Sequence, residues 1–128
     1  MILGIDYGEK RVGIALSDQG EMLAFPHSTL SNTKTLLEEV IQLIRKEKVN
    51  LVVLGYSSDF SGEDNPIMKL VHAFKKELEM KLGIPVVFEQ EWLSTQEASR
   101  FTGTHDMLDA SAAAVILQRF LDKKRIIK

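Results

Sequence analysis

The sequence predicts an α/β fold in which a mixed five-stranded sheet carries helices on both faces. Three observations predict it. Residues 2–26 read as three consecutive short strands. Leu51-Val52-Val53-Leu54 is a bare apolar run, as expected of a strand covered on both sides. The segments that follow the meander alternate such strands with stretches whose apolar residues recur at helical spacing.

Each element follows in chain order. Ile2 to Tyr7 reads as a buried strand. Arg11 to Ser17 alternates Val12, Ile14 and Leu16 against Gly13, Ala15 and Ser17, and reads as a second. Gly8-Glu9-Lys10 is short enough to close a hairpin between them. Asp18-Gln19-Gly20-Glu21 reads as a second turn with Gly at a useful position. Met22 to Pro26 is expected as a short edge strand, because Pro26 cannot donate to a ladder. Ser31 or Asn32 is expected to cap a helix marked by Leu36, Leu37, Val40, Ile41 and Ile44, and Arg45, Lys46 and Lys48 suit its C-terminal dipole. The strand at Leu51 ends at Gly55, and a polar loop runs from Tyr56 to Asn65. Pro66 is placed for the first turn of a second helix, whose buried stripe is Ile67, Leu70, Val71, Phe74, Leu78 and Leu82. Gly83 stops it. Pro85 to Glu91 reads as another strand, Ser94 and Glu97 as the capping box of a short helix, and Met107 to Leu121 as the last helix. The predicted order is β-β-β-α-β-α-β-α-α, with no internal repeat, linker or low-complexity segment.

The 128 residues suit one domain, 1–128, long enough to bury a core without staples. A content of 45% hydrophobic and 27% charged residues is that of a soluble globular protein. The chain has no cysteine, which excludes a disulfide framework and a thiolate zinc site and suits a reducing compartment. Met1 to Asp6 lacks a basic start and its apolar run is broken by an acid, so it does not read as a signal peptide. No stretch approaches the roughly 18 apolar residues that span a bilayer. A cytoplasmic protein with no membrane partner is expected. The net charge of −2 argues against a nucleic-acid surface, since such domains are usually basic. Divalent cations held by the acids would reverse that sign locally.

Three acids stand out. Alternation puts Ile2, Gly4, Asp6 and Gly8 on one face of the first strand and Leu3, Ile5 and Tyr7 on the other. A carboxylate buried in such a strand needs a cation, a partner or solvent, and the flanking glycines leave room for something to approach the backbone. The plain alternative is an Asp that structures the hairpin. Glu91 ends the last strand; Val87, Glu89 and Glu91 share a face, so Glu89 is a rival, and both read equally as solvated edge acids. Asp109 stands in the first turn of the last helix, where an acid is favoured by the dipole alone. The alanines Ala110, Ala112, Ala113 and Ala114, however, let that helix lie close to a sheet and carry Asp109 toward Asp6. Oxygen ligands without cysteine favour a hard cation, Mg²⁺ or Mn²⁺, and two such ions can drive phosphodiester hydrolysis.

These residues carry a resemblance. Gly4-Ile5-Asp6-Tyr7-Gly8-Glu9-Lys10-Arg11-Val12-Gly13-Ile14-Ala15-Leu16-Ser17-Asp18, Glu91 with Leu93-Ser94-Thr95-Gln96-Glu97-Ala98, and Asp109-Ala110-Ser111-Ala112-Ala113-Ala114-Val115-Ile116-Leu117-Gln118 resemble, in this order, the YqgF family of Holliday junction resolvases, also described as pre-16S rRNA nucleases. The resemblance implies a ribonuclease-H-like (RNase-H-like) fold, Asp6, Glu91 and Asp109 as catalytic metal ligands for Mg²⁺ or Mn²⁺, and cleavage of structured RNA or a DNA junction. A monomer or a homodimer is open, and a junction resolvase would want a two-fold dimer. The chain departs from the family where Asp-Glu-Arg is usual and Gln90-Glu91-Trp92 stands, in the loop Tyr56 to Gly62, and in a shortened basic segment from Phe101 to Leu108. Those losses remove backbone-binding charge and motivate the alternative of a non-catalytic RNA-binding or ribosome-assembly module.

Lys10, Arg11 and Arg100 are candidate phosphate contacts, against a solvated hairpin tip for the first two. Ser57, Ser58 and Asp59 are expected at the cleft, since ligands of open α/β sheets gather at strand carboxyl ends. His105 is a proton shuttle or a surface histidine, and Trp92 a base-stacking or a gap-filling residue. Lys123-Lys124-Arg125 reads as a solvated helix end. Asp6-x-Gly8 followed by Gly13 also resembles the first phosphate loop of actin-like and sugar-kinase folds. Those enclose ATP between two such domains, and this chain has room for one.

Overall fold

A computed structural model of the chain describes residues 1–56, 65–90 and 105–127. The first hairpin forms as alternation predicts. Strand β1 (Ile2–Tyr7) pairs antiparallel with β2 (Arg11–Ser17), and Asp6 lies directly opposite Gly13. Strand β3 (Ala24–Ser31) begins later and runs further than predicted. The start is delayed because the Asp18 carboxylate accepts the backbone N–H groups of Met22 at 2.8 Å and Leu23 at 3.1 Å, which holds both in the turn. These bonds, Leu23's first, hold the Asp18 carboxyl below its ordinary pKa. Glu21, not Gly20, takes the left-handed conformation, at φ 57°. Pro26 sits at the sheet edge, as expected, beside a bulge between Ile14 and Ala15 on the facing strand's register.

Helix α1 (Leu36–Lys46) buries Leu36, Val40, Ile41 and Ile44. Neither Ser31 nor Asn32 caps it. β3 continues through Ser31, and the Asn32 side-chain amide donates to the Gly8 carbonyl at 2.8 Å, so the chain turns into the helix only at Thr35. Strand β4 (Leu51–Tyr56) is two residues longer than the apolar run. Helix α2 (Met68–Leu82) starts after Pro66, and Gly83 ends it with φ 68°. Its buried stripe is Met68, Val71, Phe74 and Leu78, while Leu70 is exposed. Strand β5 is Val86–Gln90. The final helix, α3 (His105–Ile127), starts earlier and ends later than predicted. The predicted short helix at Ser94 and Glu97 lies outside the described residues.

The sheet order is β3-β2-β1-β4-β5. β1 is parallel to β4, β4 to β5, and β2 antiparallel to both its neighbours. The carboxyl ends of β1, β3, β4 and β5 therefore share one edge. Leu3, Ile5, Val12, Ile14, Val52 and Leu54 pack under α1 and α2 on one face. Ile2, Ala15 and Val53 pack under Ala113, Ala114, Ile116, Leu117 and Leu121 of α3 on the other. Helices on both faces of a mixed five-stranded sheet are thus what the residues build. Among the described residues no helix is long and apolar enough to cross a membrane.

Candidate active site

The site is built by two glycines that let α3 touch the sheet. A Cβ at Gly4 would lie 2.8 Å from the Cβ of Leu117 and 3.0 Å from the Ala113 carbonyl oxygen. A Cβ at Gly13 would overlap the Asp109 carbonyl itself. The room beside Asp6 is therefore taken at Gly4 by the helix. At Gly8 it is taken by the hairpin's own Arg11 carbonyl. Residues directly opposite in an antiparallel pair project to the same side, so the Asp6 side chain emerges on the face where Gly13 receives Asp109. The alanines do what their size permits: Ala110 and Ala113 are buried against the sheet, and the first turns of α3 carry Asp109 to the carboxyl end of β1. Asp6 and Asp109 come from opposite ends of the chain, and the Asp109 backbone seats against Gly13, the residue directly opposite Asp6.

Arg11 shares this point. Its Nε donates to Asp109 Oδ2 at 2.7 Å, across 98 residues of sequence. Both side chains remain partly open to solvent, 46% for Arg11 and 27% for Asp109. Lys10, next to it at the hairpin tip, is exposed.

Glu89 corrects the reading of a solvated edge acid. It is 5% exposed, and its Oε2 accepts from Lys123 Nζ at 2.6 Å. Lys124 likewise reaches Glu21 at 2.6 Å. These two lysines are fastened to the sheet and the β2–β3 turn, not merely solvated. Both partners are remote in sequence, and helical periodicity carries no signal for them. Arg119 Nη1 donates to the Gln90 carbonyl at 3.3 Å, so α3 also holds the carboxyl end of β5. Gln118 clamps the other side, accepting from Ala24 N–H at 2.9 Å and donating to the Met22 carbonyl at 3.0 Å.

Glu91, which follows Gln90, lies outside the described residues, as do Trp92, Arg100, Ser57, Ser58 and Asp59. The same holds for the side chains of His105 and Arg125. Among the described residues no group of three His, Cys, Asp or Glu side chains is gathered tightly enough to hold a metal ion. Asp6 and Asp109 nonetheless fit one chemically. They offer only carboxylate oxygens, the ligands hard divalent cations take, and Asp109 already stands against a positive charge.

Comparison with known structures agrees with this architecture. The chain has the fold of "T. thermophilus RuvC in complex with Holliday junction substrate", with a TM-score of 0.65 at 13% identity over 97% of this chain and 95% of that one. The fowlpox virus resolvase in complex with Holliday junction DNA gives 0.59 at 14% identity, over 96% and 97%. Sheet and helices thus define the ribonuclease-H-like fold that these RuvC and resolvase structures share. Residues 1–123 match the family described as "RuvX: Holliday junction resolvase", and the chain belongs to that family. A relative from Roseiflexus sp. (strain RS-1), named "Putative pre-16S rRNA nuclease", is 35% identical over 97% of this chain and 95% of its own length. One of the same name from Maridesulfovibrio salexigens is 32% identical over 94% and 96%. The resemblance carried by the Asp6, Glu91 and Asp109 segments is borne out at the level of the family.

Proposed function

We propose that this protein is a divalent-metal-dependent nuclease that hydrolyses phosphodiesters in structured nucleic acid, with Asp6, Glu91 and Asp109 as the ligands of Mg²⁺ or Mn²⁺. The observation that supports it most is the contact of Asp109 with Gly13 opposite Asp6. It seats the start of α3 against the residue that faces Asp6, near the carboxyl end of β1, which supports reading the two acids as parts of one site. The bound ions would supply Lewis acidity to a water attack on the phosphodiester. The chain's own part is to hold the carboxylates rigidly, Asp6 through the β1–β2 ladder and Asp109 through the close seat of α3. Water is the nucleophile, so no covalent link to the protein forms. Lys10, Arg11, Ser57 and Arg100 are assigned to the phosphate backbone and cleft. The relatives' names point to pre-16S rRNA or a Holliday junction as substrate, and this reading carries a cytoplasmic location with it.

The test is cleavage of a structured RNA and of a four-way DNA junction by purified protein. Turnover is expected in Mg²⁺ or Mn²⁺, lost in EDTA and restored when metal is returned. Persistent turnover in EDTA would overturn the metal reading. Salt-dependent RNA binding without cleavage in any metal would leave the binding-module alternative instead.

A further inference from the structure

We propose that Arg11 is a stand-in cation for the site: it neutralises the Asp109 carboxylate while no divalent ion is bound, and passes to a substrate phosphate when one is. The inference rests on the proposed nuclease reading and goes beyond it, because it assigns one side chain two successive partners.

The geometry carries the argument. The Asp109 backbone seats against Gly13, opposite Asp6, and the Asp109 side chain reaches Arg11 two residues back along β2. The Arg11 guanidinium, 2.7 Å from Asp109 Oδ2, is the positive charge set against that carboxylate. A divalent ion bound through the same carboxylate would take over the neutralisation and repel the guanidinium. Arg11 is free to yield: it opens β2, its side chain is 46% exposed, and an ion pair so exposed is weak. The bond to Asp109 is made through Nε. The two Nη groups lie outside that bond, and a guanidinium's parallel N–H pair is the geometry suited to a phosphate. Its place on the strand start beside the exposed Lys10 keeps it within the surface a nucleic-acid backbone would cross. A plain strut between the hairpin and α3 is the competing role, and metal affinity separates the two.

The experiment is calorimetric titration of Mn²⁺ into the whole chain without nucleic acid, for wild type, Arg11→Gln and Arg11→Lys, followed by binding of an RNA hairpin in Ca²⁺ over a range of salt. Removing the competitor is expected to tighten Mn²⁺ binding about two- to fivefold in Arg11→Gln, the range an exposed ion pair spans. Arg11→Lys keeps the charge and is expected to stay near wild type. For RNA, Arg11→Gln is expected to bind more weakly, with a salt slope smaller by about one. Unchanged or weaker Mn²⁺ binding by Arg11→Gln, with wild type binding normally, overturns the stand-in role and leaves the nuclease reading intact. Absence of Mn²⁺ binding by wild type overturns both.

Discussion

Asp6→Asn is expected to abolish metal-dependent cleavage while leaving the protein folded. Asparagine has nearly the shape of aspartate and keeps one carbonyl oxygen, so the β1–β2 ladder and the packing around Gly4 are undisturbed. What it loses is the negative charge. A single group that organises transition-state charge accounts for about 10²–10³ in rate, and an anionic metal ligand would stand at the upper end of that range. The thermal midpoint is expected to stay within a few degrees of wild type, because no packing atom is removed. Rates measured at saturating Mg²⁺, beside a melting curve of the same preparation, check both halves. Unchanged cleavage by the mutant would remove Asp6 from the mechanism.

Gly13→Ala carries the second large effect, and it is geometric. The added methyl would overlap the Asp109 carbonyl oxygen and stand 3.1 Å from the Ala110 nitrogen. These are backbone atoms of a helix and cannot rotate away, so the first turns of α3 must lift from the sheet. Overpacking of this kind costs about 1–3 kcal/mol, and each kcal/mol lowers the midpoint by roughly 2–8 °C in a domain of this size. Activity is expected to fall further than stability explains, because the shift separates Asp109 from Asp6. Gly4→Ala is the internal control. Its methyl would press on Leu117 and Ala113, two to three turns along the helix, and destabilise without moving the first turn. Melting curves and cleavage rates of both variants, each measured well below its midpoint, test the distinction. Equal activity losses in the two would show that the Gly13 contact does not position Asp109.

The outcome of reading the chain by pattern depends on how local each cause is. β1 and β2 have the bounds that alternation sets, since a period of two and a three-residue turn are local properties. Asp109 was legible in part for the same reason: the alanine run announces a close helix seat before any partner is known. In the sequence Gly4 and Gly8 read only as room beside Asp6, and nothing marks Gly13 as the seat of a helix. That α3 packs against Gly4 and Gly13 depends on a crossover from the far end of the chain. Composition predicts too short a β3 because the strand's length is set by pairing with β2 and by the Asp18 side chain, neither visible in its own residues. The Arg11–Asp109, Glu89–Lys123 and Glu21–Lys124 pairs span 98, 34 and 103 residues, beyond the reach of any window-based argument.

The central claim is that carboxylates from β1 and the start of α3 jointly receive a hard cation. A crystal soaked in Mn²⁺ and measured at a wavelength with strong manganese anomalous signal tests it most directly. The account predicts at least one anomalous peak bonded to oxygens of both Asp6 and Asp109, with Glu91 as the third ligand. Density showing no peak there, with the three carboxylates turned separately into solvent, would contradict it.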